Sequence, residues 1–135
     1  MKHDYFIASR FRNKTDVLDL TAKLREKGKS VYCFVEEYDD SQTPEEYMLQ
    51  FENTPDWKNA PAIREMFEKD MSALKDSDTL ILLLPAGKSA HVEAGAAFGF
   101  GKHCIVIGEQ KEAESLYLIF NEFYNTVEEF INKLN

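Results

Sequence analysis

Glu93 is the carboxylate in this sequence whose setting most invites chemistry. It stands in Pro85-Ala86-Gly87-Lys88-Ser89-Ala90-His91-Val92-Glu93-Ala94-Gly95-Ala96-Ala97-Phe98-Gly99-Phe100-Gly101-Lys102, directly after an apolar run at 80–84. An apolar run ending in Pro and Gly predicts a buried strand that turns into a helix. Such a turn presents free N–H groups and the positive end of a helix. Ser89 fits the N-cap, which leaves Glu93 one residue too far along for a capping box. Near a helix N-terminus its carboxylate should stay ionised, which suits a nucleophile better than a general acid. Double displacement at a sugar carbon uses such a group to capture an oxocarbenium-like centre. On spacing alone, a packed helix with a surface Glu explains the pattern equally well. Gly95 and Gly99, set among Ala94, Ala96 and Ala97, predict a face open to close approach by a backbone or a ligand.

Competing chemistries lack their motifs. There is no Gly-x-x-x-x-Gly-Lys-Ser/Thr phosphate loop and no Gly-x-Gly-x-x-Gly after the first strand, so triphosphate hydrolysis and dinucleotide redox chemistry are poorly supported. His3, His91, His103, Cys33 and Cys104 make no ligand pair at usable spacing. Neither a metal nor a cofactor is expected. His91 reads as a solvated or hydrogen-bonded residue of the first helical turn, and both cysteines fall in apolar runs where a thiol packs as a small hydrophobe.

The elements that must position the Glu93 turn can be read around it. Residues 5–8 predict a first strand, ending in a polar turn at 9–13 that carries Arg10 and Arg12. Val17, Leu18, Thr21 and Leu24 recur at helical spacing until Gly28, and residues 30–35 predict a second strand. Residues 36–60 are acidic and irregular, a length that usually marks a functional loop in a compact domain. Within it Thr43-Pro44-Glu45-Glu46 opens a short helix with Tyr47, Met48 and Phe51 on its apolar side. The segment reads as a lid anchored by Trp57, or as an inert insertion on the sheet edge. Ile63, Met66, Phe67, Met71 and Leu74 predict a helix over 61–75 that carries the Asp70 carboxylate at the margin of its buried stripe. Residues 79–84 predict a central strand covered on both faces. A fourth strand at 104–107, a short helix at 113–120, an edge strand at 123–125 and a helix at 127–134 follow, the last behind the capping box Thr126-Val127-Glu128-Glu129.

This alternation predicts an α/β, doubly wound, five-stranded parallel sheet in the order 2-1-3-4-5, with helices on both faces. In that order ligands bind outside the carboxyl ends of the strands, where the chain reverses direction between the first and third. The turns that meet there are 9–13 and 85–89, so topology arrives at the same stretch as Glu93.

At 135 residues the chain is expected to form one domain, 1–135. Its 44% hydrophobic content supports a folded core, and its net charge of -8 argues against a duplex nucleic-acid or membrane-surface partner, since neutralising many phosphates needs a basic face. No apolar run approaches the length of a membrane span, and Met1-Lys2-His3-Asp4 lacks the apolar core of a signal peptide. A cytoplasmic protein with a small-molecule partner is expected.

Three stretches carry a resemblance: Tyr5-Phe6-Ile7-Ala8-Ser9-Arg10-Phe11; Asp70-Met71-Ser72-Ala73-Leu74 with Asp78 ahead of an apolar strand; and Gly87 to Ala97 with Gly101-Lys102. In order and approximate spacing the chain resembles the nucleoside 2-deoxyribosyltransferase superfamily, which includes base-exchanging transferases and nucleotide N-glycosidases. The resemblance runs from about Asp4 to Val106, with the lid divergent, and implies a flavodoxin-like fold and a homo-oligomer. It implies Glu93 as nucleophile on the anomeric carbon, Tyr5 as the hydroxyl that orients it, Asp70 as the group that contacts and protonates the base, and Phe11 stacking on the base. Tyr5, Asp70 and Glu93 should then converge on one cleft, and a Glu93 carboxylate lying across the sheet from Tyr5 would tell against both the fold placement and the function.

The transferases carry an Asp six residues before the nucleophile to hold the sugar hydroxyl, and this chain has Gly87 there. A 5′-phosphate received by Arg10, Arg12, Lys88 and the turn at Ser9 and Ser89, as in the N-glycosidase branch, is the substitute reading. Two functions stay open: an N-glycosidase or N-glycosyltransferase of nucleosides or their 5′-monophosphates, and a catalytically silent sensor of nucleotide derivatives.

Overall fold

The computed structural model describes residues 2–37 and 43–134, with the backbone alone for Pro44, Glu45, Tyr47 and Met48. Strands β1 (His3–Ala8), β2 (Val31–Cys33), β3 (Ser77–Leu83), β4 (His103–Ile107) and β5 (Glu122–Tyr124) form one parallel sheet in the order β2-β1-β3-β4-β5. This is the flavodoxin-like topology expected from the sequence. Helices α1 (Lys14–Glu26) and α5 (Val127–Lys133) pack on one face, and α3 (Pro61–Lys75) and α4 (Lys88–Gly99) on the other. Helix α2 (Pro44–Glu52) lies against the 3-10 turn Phe11–Asn13 that follows β1.

The period-two alternation of the strands sorts the core into two layers. Tyr5, Ile7, Val31, Cys33, Ile81, Leu83, Ile105 and Ile107 face α1 and α5, where they meet Val17, Leu20, Leu24 and Phe130. Phe6, Ala8, Tyr32, Leu80, Leu82, Cys104 and Val106 face α3 and α4, where they meet Leu74, Ala90, Ala94 and Ala97. Helix ends follow their local chemistry. Thr43 Oγ1 accepts from the Glu46 N–H at 3.1 Å, and Thr126 Oγ1 from the Glu129 N–H at 3.1 Å. Gly28, just past the end of α1, has φ +79°, the left-handed conformation that favours glycine there. No helix among the described residues is long and apolar enough to cross a membrane.

Four expectations need correction. The second strand stops at Cys33, and the chain turns into a 3-10 segment, Phe34–Glu37. There Arg25 grips both oxygens of Glu36, at 2.6 and 2.8 Å, and draws the chain over the end of α1. The short helix expected at 113–120 is a 3-10 segment, Ser115–Ile119, capped by the Glu114 carboxylate, which accepts from the Leu116 N–H at 3.3 Å. Trp57 does not anchor the 36–60 segment: it follows a left-handed turn at Asp56 and is 54% exposed, with the Lys58 ammonium over its ring. The part of that segment at 38–42 lies outside the described residues. Finally, no backbone of the described residues makes a close approach at Gly95 or Gly99: nothing lies within 4 Å of a Cβ built at either, and α4 meets the sheet through Ala90, Ala94 and Ala97.

Candidate functional site

Helix α4 starts at the carboxyl end of β3, after the turn 84–87. Its N-cap is Gly87 rather than Ser89, in an extended conformation (φ -95°, ψ -168°) and with no side chain to cap the helix. Glu93 therefore falls in the second turn, where the field of the helix end has largely faded. It lies three residues after Ala90 and four before Ala97, on the flank of the stripe that packs on the sheet. Asp70 lies three before Ala73 and four before Leu74, on the corresponding flank of α3. Two helices that pack side by side thus carry one carboxyl each, near enough for the charge of Asp70 to act on Glu93.

The electrostatics follow from that arrangement. Burial, with the Asp70 carboxylate as the second contributor, pushes the Glu93 carboxyl up to about 8. The expected permanently ionised Glu93 is corrected: loss of water outweighs the distant helix end. Asp70 is also raised, by burial first, while a hydrogen bond from Tyr32 and the charge of Lys69 pull the other way. Lys69 is itself paired with Glu37 at 2.5 Å, and the Glu37 charge raises Asp70 in turn.

Tyr32 is the member of this group that the sequence did not disclose. Its ring stacks on Phe6 with centroids 5.2 Å apart, and its hydroxyl donates to Asp70 Oδ1 at 3.4 Å. Burial, then the charges of Asp70 and Glu37, raise the phenol well above its ordinary range, and Glu93 adds to the effect. Its pairing with Phe6 was the available signal, because residues paired in register share a face. Reading 30–35 as a plain apolar strand concealed it.

Tyr5 does not join Asp70 and Glu93. It points to the α1/α5 face, edge-on to Phe130 at 6.0 Å, and burial raises its hydroxyl with help from Asp4 and Glu122. Glu93 lies across the sheet from it, so the three-way convergence expected from the resemblance fails at this residue and tells against the role it implied for Tyr5, while the expected strand order holds. The cause is strand alternation, which sends Phe6 rather than Tyr5 to the face of α3 and α4.

The remaining predicted residues gather at the two turns. Ser9 is buried and committed to structure: its hydroxyl donates to Leu83 O at 2.8 Å and accepts from Asn13 Nδ2 at 3.1 Å, tying the end of β1 to the end of β3. Phe11 packs edge-on against Phe34, with centroids 5.3 Å apart. Arg10 is exposed, and its Cβ lies 4.0 Å from where a Cβ on Gly87 would stand, so the two turns are side by side. Lys88 and Ser89, in the first turn of α4, and Arg12 are exposed beside them. Neither Arg10 nor Lys88 makes an ion pair among the described residues. His91 is hydrogen-bonded, through Nδ1 to Gly87 O at 2.8 Å and through Nε2 to the Tyr117 hydroxyl at 3.1 Å.

Among solved structures the chain is similar to the CMP N-glycosidase BcmB of Clostridium botulinum, with 22% identity, 96% of each chain covered and a TM-score of 0.61. It is also similar to a 2-deoxyribosyltransferase of the psychrotolerant bacterium Bacillus psychrosaccharolyticus, with 17% identity, 95% of this chain and 90% of that one covered, and a TM-score of 0.69. No family model matches the chain. No curated protein sequence matches it either. At these identities the likeness establishes a shared fold over nearly the whole chain, the fold that the sequence resemblance implied.

Proposed function

We propose that the chain is a cytoplasmic enzyme that cleaves or transfers the N-glycosidic bond of nucleosides or nucleoside 5′-monophosphates. The observation that carries this reading is the pair of carboxyl groups, Asp70 on α3 and Glu93 on α4, both drawn from water and close enough for the charge of one to act on the other. Ionised Glu93 attacks the anomeric carbon, forming a C–O bond as the glycosidic C–N bond breaks and its electron pair leaves with the base. Protonated Asp70 gives its proton to that base. Water, or a second base, then displaces Glu93 from the sugar, giving its proton to the Asp70 carboxylate as the Glu93 carboxylate is restored.

Arg10 and Lys88 favour the monophosphate among the candidate substrates, since both are exposed cations flanking the N-terminus of α4. Replacing both with Gln should weaken monophosphate binding about tenfold or more, the order expected for lost charge-assisted hydrogen bonds, and leave neutral nucleosides nearly unaffected. Equal binding of the monophosphate by this variant removes the phosphate from the reading.

The sensor remains a second reading, favoured by a Glu93 that stays largely protonated at neutral pH in the free site. Purified protein incubated with nucleosides and their 5′-monophosphates, with chromatography for free base and a melting curve for each ligand, separates the two. Base release supports the enzyme, whereas raised melting temperatures without release support the sensor. The proposed enzyme is a homo-oligomer, a state that the exposed Val92, Phe98, Leu116 and Leu118 favour and light scattering tests.

A further inference from the structure

In a site built as proposed above, the acid has to present one particular oxygen to the leaving base, and Asp70 is held by little else. Its neighbours on α3 are the buried Ala73 and Leu74 and the exposed Lys69, already paired with Glu37. From α4 it faces Glu93, a like charge when ionised. From the sheet it faces Tyr32, whose hydroxyl donates a hydrogen bond to it. Tyr32 is itself fixed, buried and stacked at 17° to the Phe6 ring, so its hydroxyl has a defined place.

We propose that Tyr32 is the positioning residue of the acid: its hydroxyl, held by the Phe6 stack, occupies Asp70 Oδ1 and leaves Oδ2 to carry the proton to the departing base. This inference rests on the glycosyl-transfer reading and gives the acid Asp70 a hydroxyl from β2, a different role from the one the resemblance gave Tyr5, which was to orient Glu93. The contact is long, as catalytic hydrogen bonds often are until substrate closes the site. A donor to Oδ1 also stabilises ionised Asp70. It thereby favours leaving the proton on Glu93 in the free site and makes its passage to Asp70 a step that accompanies substrate binding. That passage balances: Glu93 becomes the carboxylate that attacks, and Asp70 the acid that protonates.

Tyr32→Phe keeps the ring and its stack and removes only the donor. Following the Asp70 side-chain carboxyl by NMR across a pH series reads the coupling without requiring any activity. In Tyr32→Phe the Asp70 titration should move upward, since the bond it loses favours the charged form. In Tyr5→Phe it should not move. The kinetic arm compares a nucleoside whose base must be protonated to leave with one carrying an activated leaving group. Tyr32→Phe should lower kcat for the first about tenfold, with KM little changed, and leave the second within about twofold. An unmoved Asp70 titration in Tyr32→Phe, or equal losses on both substrates, overturns the assignment, as does a Tyr5→Phe variant that shows the effects expected of Tyr32→Phe. If the wild-type protein releases no base from any substrate, the glycosyl-transfer reading falls by itself, and the NMR titration still decides whether Tyr32 holds Asp70.

Discussion

Tyr5 and Tyr32 stand on neighbouring strands, one residue out of phase, and the sheet sends them to opposite faces. On the α1/α5 face Tyr5 is closed in by large side chains, among them Leu20, Leu24 and Phe130. On the α3/α4 face the helix side is built largely from alanines, and Tyr32, Asp70 and Glu93 gather at its margin. Large apolar side chains bury more area, at about 25 cal/mol per Å2, and fill their layer. Alanines bury less and leave room in which polar groups can be held partly dry. The helix side of one face is therefore the more fully packed, while the other face gives some stability up: keeping a carboxyl raised to about 8 disfavours the folded state once that carboxyl must ionise.

Glu93→Gln should have the largest effect and should show the α3/α4 face trading stability for chemistry. Base release should fall roughly a thousandfold or more, the order seen when a nucleophile is removed. Stability should change in the opposite sense and with pH. Between the ordinary carboxyl value near 4.5 and the folded value of about 8, the unfolded chain has released a proton that the folded chain still holds, so wild-type stability falls as pH rises through this window. Glu93→Gln escapes that loss. Its melting temperature should match wild type at pH 4 and exceed it at pH 9. A variant that melts lower at both pH values, with activity lost only in proportion to folded protein, would make Glu93 structural and the faces alike.

Phe130→Ala probes the other face, where the expected loss is one of stability alone. Truncating a buried Phe typically costs about 3–5 kcal/mol, which denaturant unfolding would read as a lowered midpoint. At temperatures where the variant is folded, activity per folded molecule should be unchanged, because α5 covers the face away from Asp70 and Glu93. A selective loss of kcat would break the comparison.

Asp70→Asn should act on both the proton and the nucleophile. Substrates whose base needs protonation should lose about 100-fold in kcat, and those with activated leaving groups far less. With the latter, the rising limb of kcat/KM in wild type should lie near pH 8, where Glu93 ionises, and Asp70→Asn should move it to lower pH by removing a like charge. A limb that stays in place would show that burial alone sets Glu93 and that the two carboxyl groups act independently.

The topology was legible in the sequence because its signals are local: apolar runs at 80–84 and 104–107, helical spacing in α1 and α3, the caps at Thr43 and Thr126, and Gly28 past the end of α1. Asp70 was legible as a carboxylate on the margin of a buried stripe, and Glu93 as one standing a residue too far from the helix start to serve its cap. What remained hidden depends on register and on contacts across the chain. Whether Tyr5 or Phe6 faces α4 is decided by a one-residue phase that an unbroken apolar strand does not reveal. The state of Glu93 depends on how far α3 excludes water, which no spacing along α4 encodes. Ser9 looked free for a ligand until Leu83, distant in sequence, supplied its acceptor.

The smallest effect is expected at Gly87, in the mouth between the two turns. Its backbone angles suit any residue, and an added Cβ would meet Arg10 Cβ at an ordinary 4.0 Å, so nothing steric demands glycine there. Gly87→Asp should supply the side-chain acceptor that the N-cap of α4 lacks, stabilising the protein by a few tenths of a kcal/mol, with a further contribution of about 0.3–1 kcal/mol from a carboxylate at the helix end. The same carboxylate would stand beside Arg10 and compete for it with an incoming phosphate. Affinity for a 5′-monophosphate should therefore fall several-fold, with no such loss for a neutral nucleoside, and calorimetric titration of both ligands into wild type and variant measures the difference. Equal changes for the two ligands would mean that the phosphate does not sit at this helix end, leaving Arg10 and Lys88 as ordinary solvated charges while the carboxyl pair of Asp70 and Glu93 stands untouched.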